Sequence, residues 1–161
     1  MLIKDDWEAW LQDGKAYRLK QLINAAAGNT SYIGLYNAVG SGKFLKVYQI
    51  RVTNITGIVQ RYTLARYIGA VVGAIQTSIN LRMNGNDDFS AGRGNNDIVG
   101  APGGAFIGIR DLWQLPANSL NDIETRTHKP VYEIVEGAGL FVYPNTLNVV
   151  VQVEIDFVIS P

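Results

Sequence analysis

The chain has no cysteine and a single histidine, His128. Without cysteine there is no disulfide framework, no thiolate zinc site and no cysteine nucleophile. With one histidine, no H-x-H or H-x-x-x-H pair exists to begin an imidazole metal site, and a serine–histidine–acid triad would rest on His128 alone. Charge is scarce as well: 17% of residues are charged and 14 basic residues balance 14 acidic ones, so no long-range field draws in nucleic acid or an anionic membrane. No stretch approaches the roughly 20 apolar residues of a membrane-spanning helix. The opening "MLIKDDWEAWLQDG" carries Asp5, Asp6 and Glu8 where a secretory leader would need an apolar core. These absences predict a protein with neither a nucleic-acid nor a membrane partner.

What is present is alternation. In "NVVVQVEIDFVIS", Val149, Val151, Val153, Ile155, Phe157 and Ile159 form one apolar set, while Gln152, Glu154 and Asp156 fall on the opposite face. Period two over that length is a strand lying over a core. Similar runs occupy 16–24, 31–37, 43–55, 60–72, 77–84, 105–113, 130–135 and 139–143. Glycine, proline and asparagine turns such as "GSGK", "NITG", "EGAG" and "YPNT" separate many of them. Helix is expected in two places. "DDWEAWLQDG" spaces Trp7, Trp10 and Leu11 on one side and places Gly14 just past its end. "LPANSLNDIE" (115–124) holds a single turn or an irregular crossover.

The reading is one all-β domain, residues 15–161, preceded by a short helical arm, 1–14. About eight or nine antiparallel strands in a chain of this size predict a two-sheet sandwich, most economically a jelly roll, with an up-and-down barrel as runner-up. The stretch "NGNDDFSAGRGNNDIVGAPGG", 84–104, reads as a long connection between strands. Its six glycines make ordering costly, so neighbouring subunits are expected to hold it.

Each pattern that hints at chemistry meets an obstacle. "GSGKF" resembles a phosphate loop, but Asn37 stands where the first glycine of such a loop belongs and Phe44 where Ser or Thr must follow Lys43, so a hairpin turn is expected. Glu154 and Asp156 lie two apart on one strand face, roughly 6.5–7 Å, which is inverting-carboxylate spacing. No apolar pocket is apparent beside them, and solvated acids are the simpler reading. His128 has no G-x-S-x-G elbow to serve. The acids and amides of 84–97 fit neither an EF-hand nor a calcium β-helix repeat. The sequons at Asn29 and Asn54 occur at the rate chance gives. No catalytic, cofactor-binding or metal-binding residue is therefore assigned, and a non-enzyme without cofactor is expected.

Taken together, "SYIGLYNAVGSGKFLKVYQIRVTN", "RYTLARYIGA", "LPANSLNDI" and "PVYEIVEGAGLFVYPNTLNVVVQVEIDF" resemble the small β-rich virion proteins of tailed bacteriophages, of the capsid decoration or cement type. The resemblance covers roughly Ser31 to Ile159 and is one of layout. It implies a jelly-roll-like structural subunit, dimeric or trimeric, that binds the major capsid protein on the capsid exterior. Trp7 and Trp10 of the arm, with Phe89 and Arg93 of the long connection, are the expected partner contacts. A receptor- or carbohydrate-binding β-sandwich of fibre-head type is the alternative.

Overall fold

The computed structural model describes residues 6–24, 28–69, 74–88, 90–99, 106–125 and 130–161. Among them are one helix, α1 (Asp6–Gln12), and twelve strands. The strands are β1 (Ala16–Ile23), β2 (Asn29–Tyr36), β3 (Phe44–Asn54), β4 (Gln60–Ile68), β5 (Ala74–Ile75), β6 (Ser78–Asn80), β7 (Gly92–Val99), β8 (Phe106–Leu115), β9 (Ser119–Thr125), β10 (Tyr132–Ile134), β11 (Ala138–Pro144) and β12 (Val151–Ser160).

Their pairing is nested. β1 lies against β12, β2 against β11, β3 against β9 and β10, and β4 against β8, always antiparallel. Successive pairs fall alternately into two sheets. Sheet A has the order β10–β3–β12–β1–β6, with β9 also on β3, and sheet B the order β5–β7–β2–β11–β4–β8. A ribbon folded on itself and wound this way is a jelly roll. The barrel alternative fails because the two sheets do not join edge to edge among the described residues.

Twelve strands exceed the eight or nine expected, and the surplus has physical reasons. β5 and β7 come from the segment between β4 and β8 and continue sheet B beyond β2, while β6, inside the run 77–84 expected as a strand, joins the edge of sheet A at β1. Residues 92–99 of the expected connection 84–104 are therefore strand. Gly92–Val99 has the wrong composition for one, but the open edge of β2 supplies the backbone partners and overrides propensity. A side chain at position 92 would strike the Gln76 carbonyl, so the glycine that hid the strand is what lets it seat. Likewise 119–125, within and just beyond the stretch read as a helical turn or crossover, is β9, paired with β3 after a turn in which Asn118 takes φ +48°.

Between the sheets lie Leu19, Ile50, Val52, Ile155 and Phe157 of sheet A and Ile33, Leu35, Tyr62, Leu64, Leu140 and Val142 of sheet B, all buried. The inward set on β3 runs Leu45, Val47, then Ile50, Val52. The three-residue step marks a bulge, where Phe157 pairs with Val47 and Asp156 with Gln49, leaving Tyr48 outside the register. Tyr48 turns outward and becomes the platform for α1.

The helix ends as its sequence predicts. The Lys15 N–H donates to the Trp10 carbonyl and the Gly14 N–H to that of Leu11, with Gly14 at φ +69°. This is a Schellman cap, and it reverses the chain directly into β1.

Candidate functional site

The arm is docked on its own domain. Trp7 meets Tyr48 with ring centroids 5.1 Å apart, and Trp7, Trp10 and Leu11 pack on Ala16, Tyr48 and Val158 of the outer face of sheet A. Val158, the one apolar residue on the polar face of the last strand, thus has its explanation. Trp10 is only half-buried, with the ammonium groups of Lys15 and Lys46 at 5.3 and 5.6 Å from its ring.

Farther along the same face is a charge lattice. Arg18 lies opposite Asp156, and Glu154 lies between Lys20 and Arg51. The Arg18 guanidinium donates to both Asp156 oxygens at 2.7 and 2.9 Å, and its Nε is 3.3 Å from Glu154. Arg51 donates to Glu154 at 2.8 Å. The bond to Asp156 raises the Arg18 pKa above its already high value. The two carboxylates considered as an inverting pair are thus surrounded by cations, the reverse of the apolar setting that keeps a proton on a general acid.

"GSGK" does wrap an anion with backbone N–H groups, and the anion is the chain's own. Gly40 N–H donates to Glu136 Oε2 at 2.9 Å and Gly42 N–H to Oε1 at 2.5 Å. Asn37, where a phosphate loop would have glycine, is buried and donates to the carbonyls of Lys43 and Ile134 while accepting from the Ser41 hydroxyl. Asn54 is similar: fully buried, it donates to the Ile58 and Pro116 carbonyls and accepts from Thr56. It is a turn organiser, with no room for a glycan.

The start of the glycine-rich segment is ordered from within the subunit. Residues 84–88 curl around Asn80, whose amide donates to the carbonyls of Gly14 and Asn86, and a side chain at Gly85 would strike it. Asp88 accepts from the Ser90 hydroxyl and the Ala91 N–H. Asp87 and Asp88, two of the acids weighed for calcium, are thus engaged within the subunit, and the backbone of 92–99 is paired with β2. No group of metal-ligating side chains occurs among the described residues.

Of the four expected contact residues, Trp7 and Trp10 sit in the arm interface described above, and Arg93 is in β7. Its side chain is 6% exposed, beside the buried aromatic cluster Tyr32, Tyr36, Tyr67 and Phe141. One Nη donates to the Gly92 carbonyl, and Nε has no partner. Burial lowers its pKa, opposed by Asp88 and Tyr36. Phe89 and His128 lie outside the described residues.

Sequence reasoning passed over the exposed apolar residues at the ends of the roll. Ile55, Ile58 and Val59 of the β3–β4 turn and Leu120 at the start of β9 share one end, tied by the bond from Asn118 N–H to the Thr56 carbonyl. Ile58 and Leu120 are each 65% exposed. At the opposite end Ile68 and Val135 line a groove of about 250 Å³, with Val39 against nearby Gly137. The break in alternation at "NITGIV" was the available signal. No protein-family model, curated protein or solved structure matches the chain.

Proposed function

We propose that the protein is a non-enzymatic structural subunit of a phage virion, which docks on the major capsid protein at the capsid exterior as a decoration or cement protein and associates with its own copies as a dimer or trimer. The observation that carries this reading is the apolar end formed by Ile55, Ile58, Val59 and Leu120. These four side chains remain exposed although the roll already has a complete core between its sheets. Apolar residues gathered on neighbouring segments, outside a finished core, mark a surface that binds protein. A balanced surface charge suits lattice docking, where repeated copies supply avidity and each contact can be small.

The test is co-sedimentation with capsids that lack the protein. Wild-type subunits should saturate such capsids and raise their resistance to heat. The double variant Ile58→Asp, Leu120→Asp should keep its melting temperature within a few degrees and lose capsid binding. Absence of wild-type binding, or undiminished binding by the variant, would remove the reading.

A further inference from the structure

At the end of the roll away from the β3–β4 turn, the inner face of sheet B runs on past the core. On β4 the residues that face sheet A are Tyr62, Leu64, Arg66 and Ile68, and the last three stand opposite Val142, Leu140 and Ala138 of β11. Tyr62 and Leu64 are fully buried, whereas Arg66 is half-buried and Ile68 is 46% exposed. Arg66 and Ile68 lie in a groove of about 250 Å³ whose sheet A side is β10 and the residue after it. Its apolar lining combines buried Ile134 and Leu140 with exposed Ile68 and Val135.

A cation on the core-facing side of a strand is out of place unless something pairs with it. Among the described residues no hydrogen bond or ion pair engages the Arg66 side chain. Glu133, the acid of β10, is turned away. It alternates with Tyr132 and Ile134, which pack on the core, and stands opposite Lys46 on the outer face, where the Lys46 ammonium lies on the Trp10 ring. Arg66 is thus the one charged side chain that the described lining turns inward. A guanidinium is a planar fork that binds a carboxylate through two parallel N–H···O bonds, and apolar walls keep water from weakening them. β10 adds a third element. It is the last strand on its side of Leu45–Val47, and no strand pairs with its outer edge among the described residues, so a further strand can be added there.

We infer that this groove binds the C-terminal residue of an extended polypeptide. The terminal carboxylate pairs with Arg66, an apolar last side chain enters between Ile68, Val135 and Leu140, and the preceding residues add to β10 as a strand. The size of the groove favours a terminus. In an extended chain neighbouring side chains point to opposite faces and the next on the same face is roughly 6.5–7 Å away, so an internal Asp or Glu is poorly placed to share so small a space with an apolar side chain. A terminal carboxylate is attached to the same Cα as the last side chain, so both reach it together. The open edge of β10 favours a peptide over a free fatty acid, which has no backbone to pair with it. The site goes beyond capsid docking, and it lies at the opposite end of the roll from Ile58 and Leu120.

Titration of the intact chain, followed by NMR, tests it. The probes are short acetylated peptides of serine and threonine that end in leucine, valine or phenylalanine, each as the free acid and as the C-terminal amide, with octanoate as the fatty-acid control. At least one free acid should bind saturably, and its amide and octanoate should bind about tenfold more weakly, the worth of a charge-assisted hydrogen bond. Arg66→Gln removes no bond within the protein, so the melting temperature should stay within a few degrees while the free acid weakens about tenfold and its advantage over the amide vanishes. Ile68→Ser, at an exposed position, should weaken the free acid severalfold with the fold intact. No binding by any free acid, equal binding of acid and amide, an acid preference retained in Arg66→Gln, or octanoate bound as tightly as the best peptide would overturn the assignment. The variant Ile58→Asp, Leu120→Asp should bind the peptide as the wild type does, so the two proposals fail separately.

Discussion

The two outer faces of the roll answer the same problem in different ways. Sheet A covers one end of its outer surface with the tryptophans of α1 and spreads a lattice of arginine, lysine and carboxylate over the rest. Sheet B instead carries Tyr32, Tyr36, Tyr67 and Phe141 on its outer face, packed edge to face and buried. The first face is wetted and built from weak, replaceable contacts. The second is in effect another core, which takes in a guanidinium, Arg93, whose charge is partly offset by Asp88 and whose Nε has no hydrogen-bond partner. Stability should therefore be concentrated on the outside of sheet B.

The sharpest way to break this contrast is at the crossing of β2 and β11. Phe141 lies over Gly34, and a Cβ at that glycine would strike the Leu140 carbonyl and the Phe141 ring. Gly34→Ala should cost about 3 kcal/mol or more, because backbone rather than a flexible side chain must give way. Phe141→Ala should cost about 3–5 kcal/mol through the cavity it leaves. Thermal or urea denaturation measures both, and losses below about 1 kcal/mol would mean that the aromatic layer is not a core.

On sheet A the largest single loss should come from the arm. Trp10→Ala removes a half-buried ring, so about 1–2 kcal/mol is expected, less than for a fully buried aromatic. The expected signature is local: proteolysis should open the chain near Gly14 well before the roll unfolds. Simultaneous loss of arm and roll would show that the arm is part of the cooperative unit.

Arg93→Met sharpens the comparison from the other side. Replacing a buried charge whose Nε has no hydrogen-bond partner with an apolar chain of similar length should be neutral or raise stability by about 1–2 kcal/mol. A fall of that size would mean that the guanidinium is satisfied in solution by a group which the bonds described here do not include.

Much of this architecture was legible. The strands facing a single core announced themselves by alternation, and α1 by the spacing of Trp7, Trp10 and Leu11 before Gly14. The bulge at Tyr48 was not read from the sequence, although the three-residue step from Val47 to Ile50 carries its signal. Sheet B obscured its second core because "SYIGLY" and "GLFVY" are apolar on both faces, which periodicity cannot distinguish from a strand buried on one side. β7 was hidden because the interactions that form it belong to β2 and Gln76, outside its own sequence.

Tyr62 gives a smaller effect with a definite pH window. Its ring is in the core between the sheets, its hydroxyl has no partner, and burial pushes its pKa up to about 12. Below pH about 10 the phenol is neutral in both folded and unfolded chains. Above it the unfolded chain ionises first, so stability falls between pH about 10 and about 12. Tyr62→Phe should abolish that part of the alkaline loss and, by removing an unsatisfied hydroxyl, add about 1 kcal/mol at neutral pH. Tyr17, Tyr67 and Tyr143, whose pKa values burial also raises, leave a residual alkaline slope in the variant.

The smallest effect is assigned to the charge lattice. Lys20 is 60% exposed and its ammonium stands 3.9 Å from Glu154, a carboxylate already bonded to Arg51 and near Arg18. Water screens such a pair, and holding a long side chain in place offsets most of the remaining attraction, so Lys20→Ala should change stability by less than about 0.5 kcal/mol. High salt should erase even that difference. A loss above 1 kcal/mol that disappears in salt would mean that the lattice acts as one coupled network, with Glu154 needing all three cations. The outer face of sheet A would then be as unforgiving as that of sheet B.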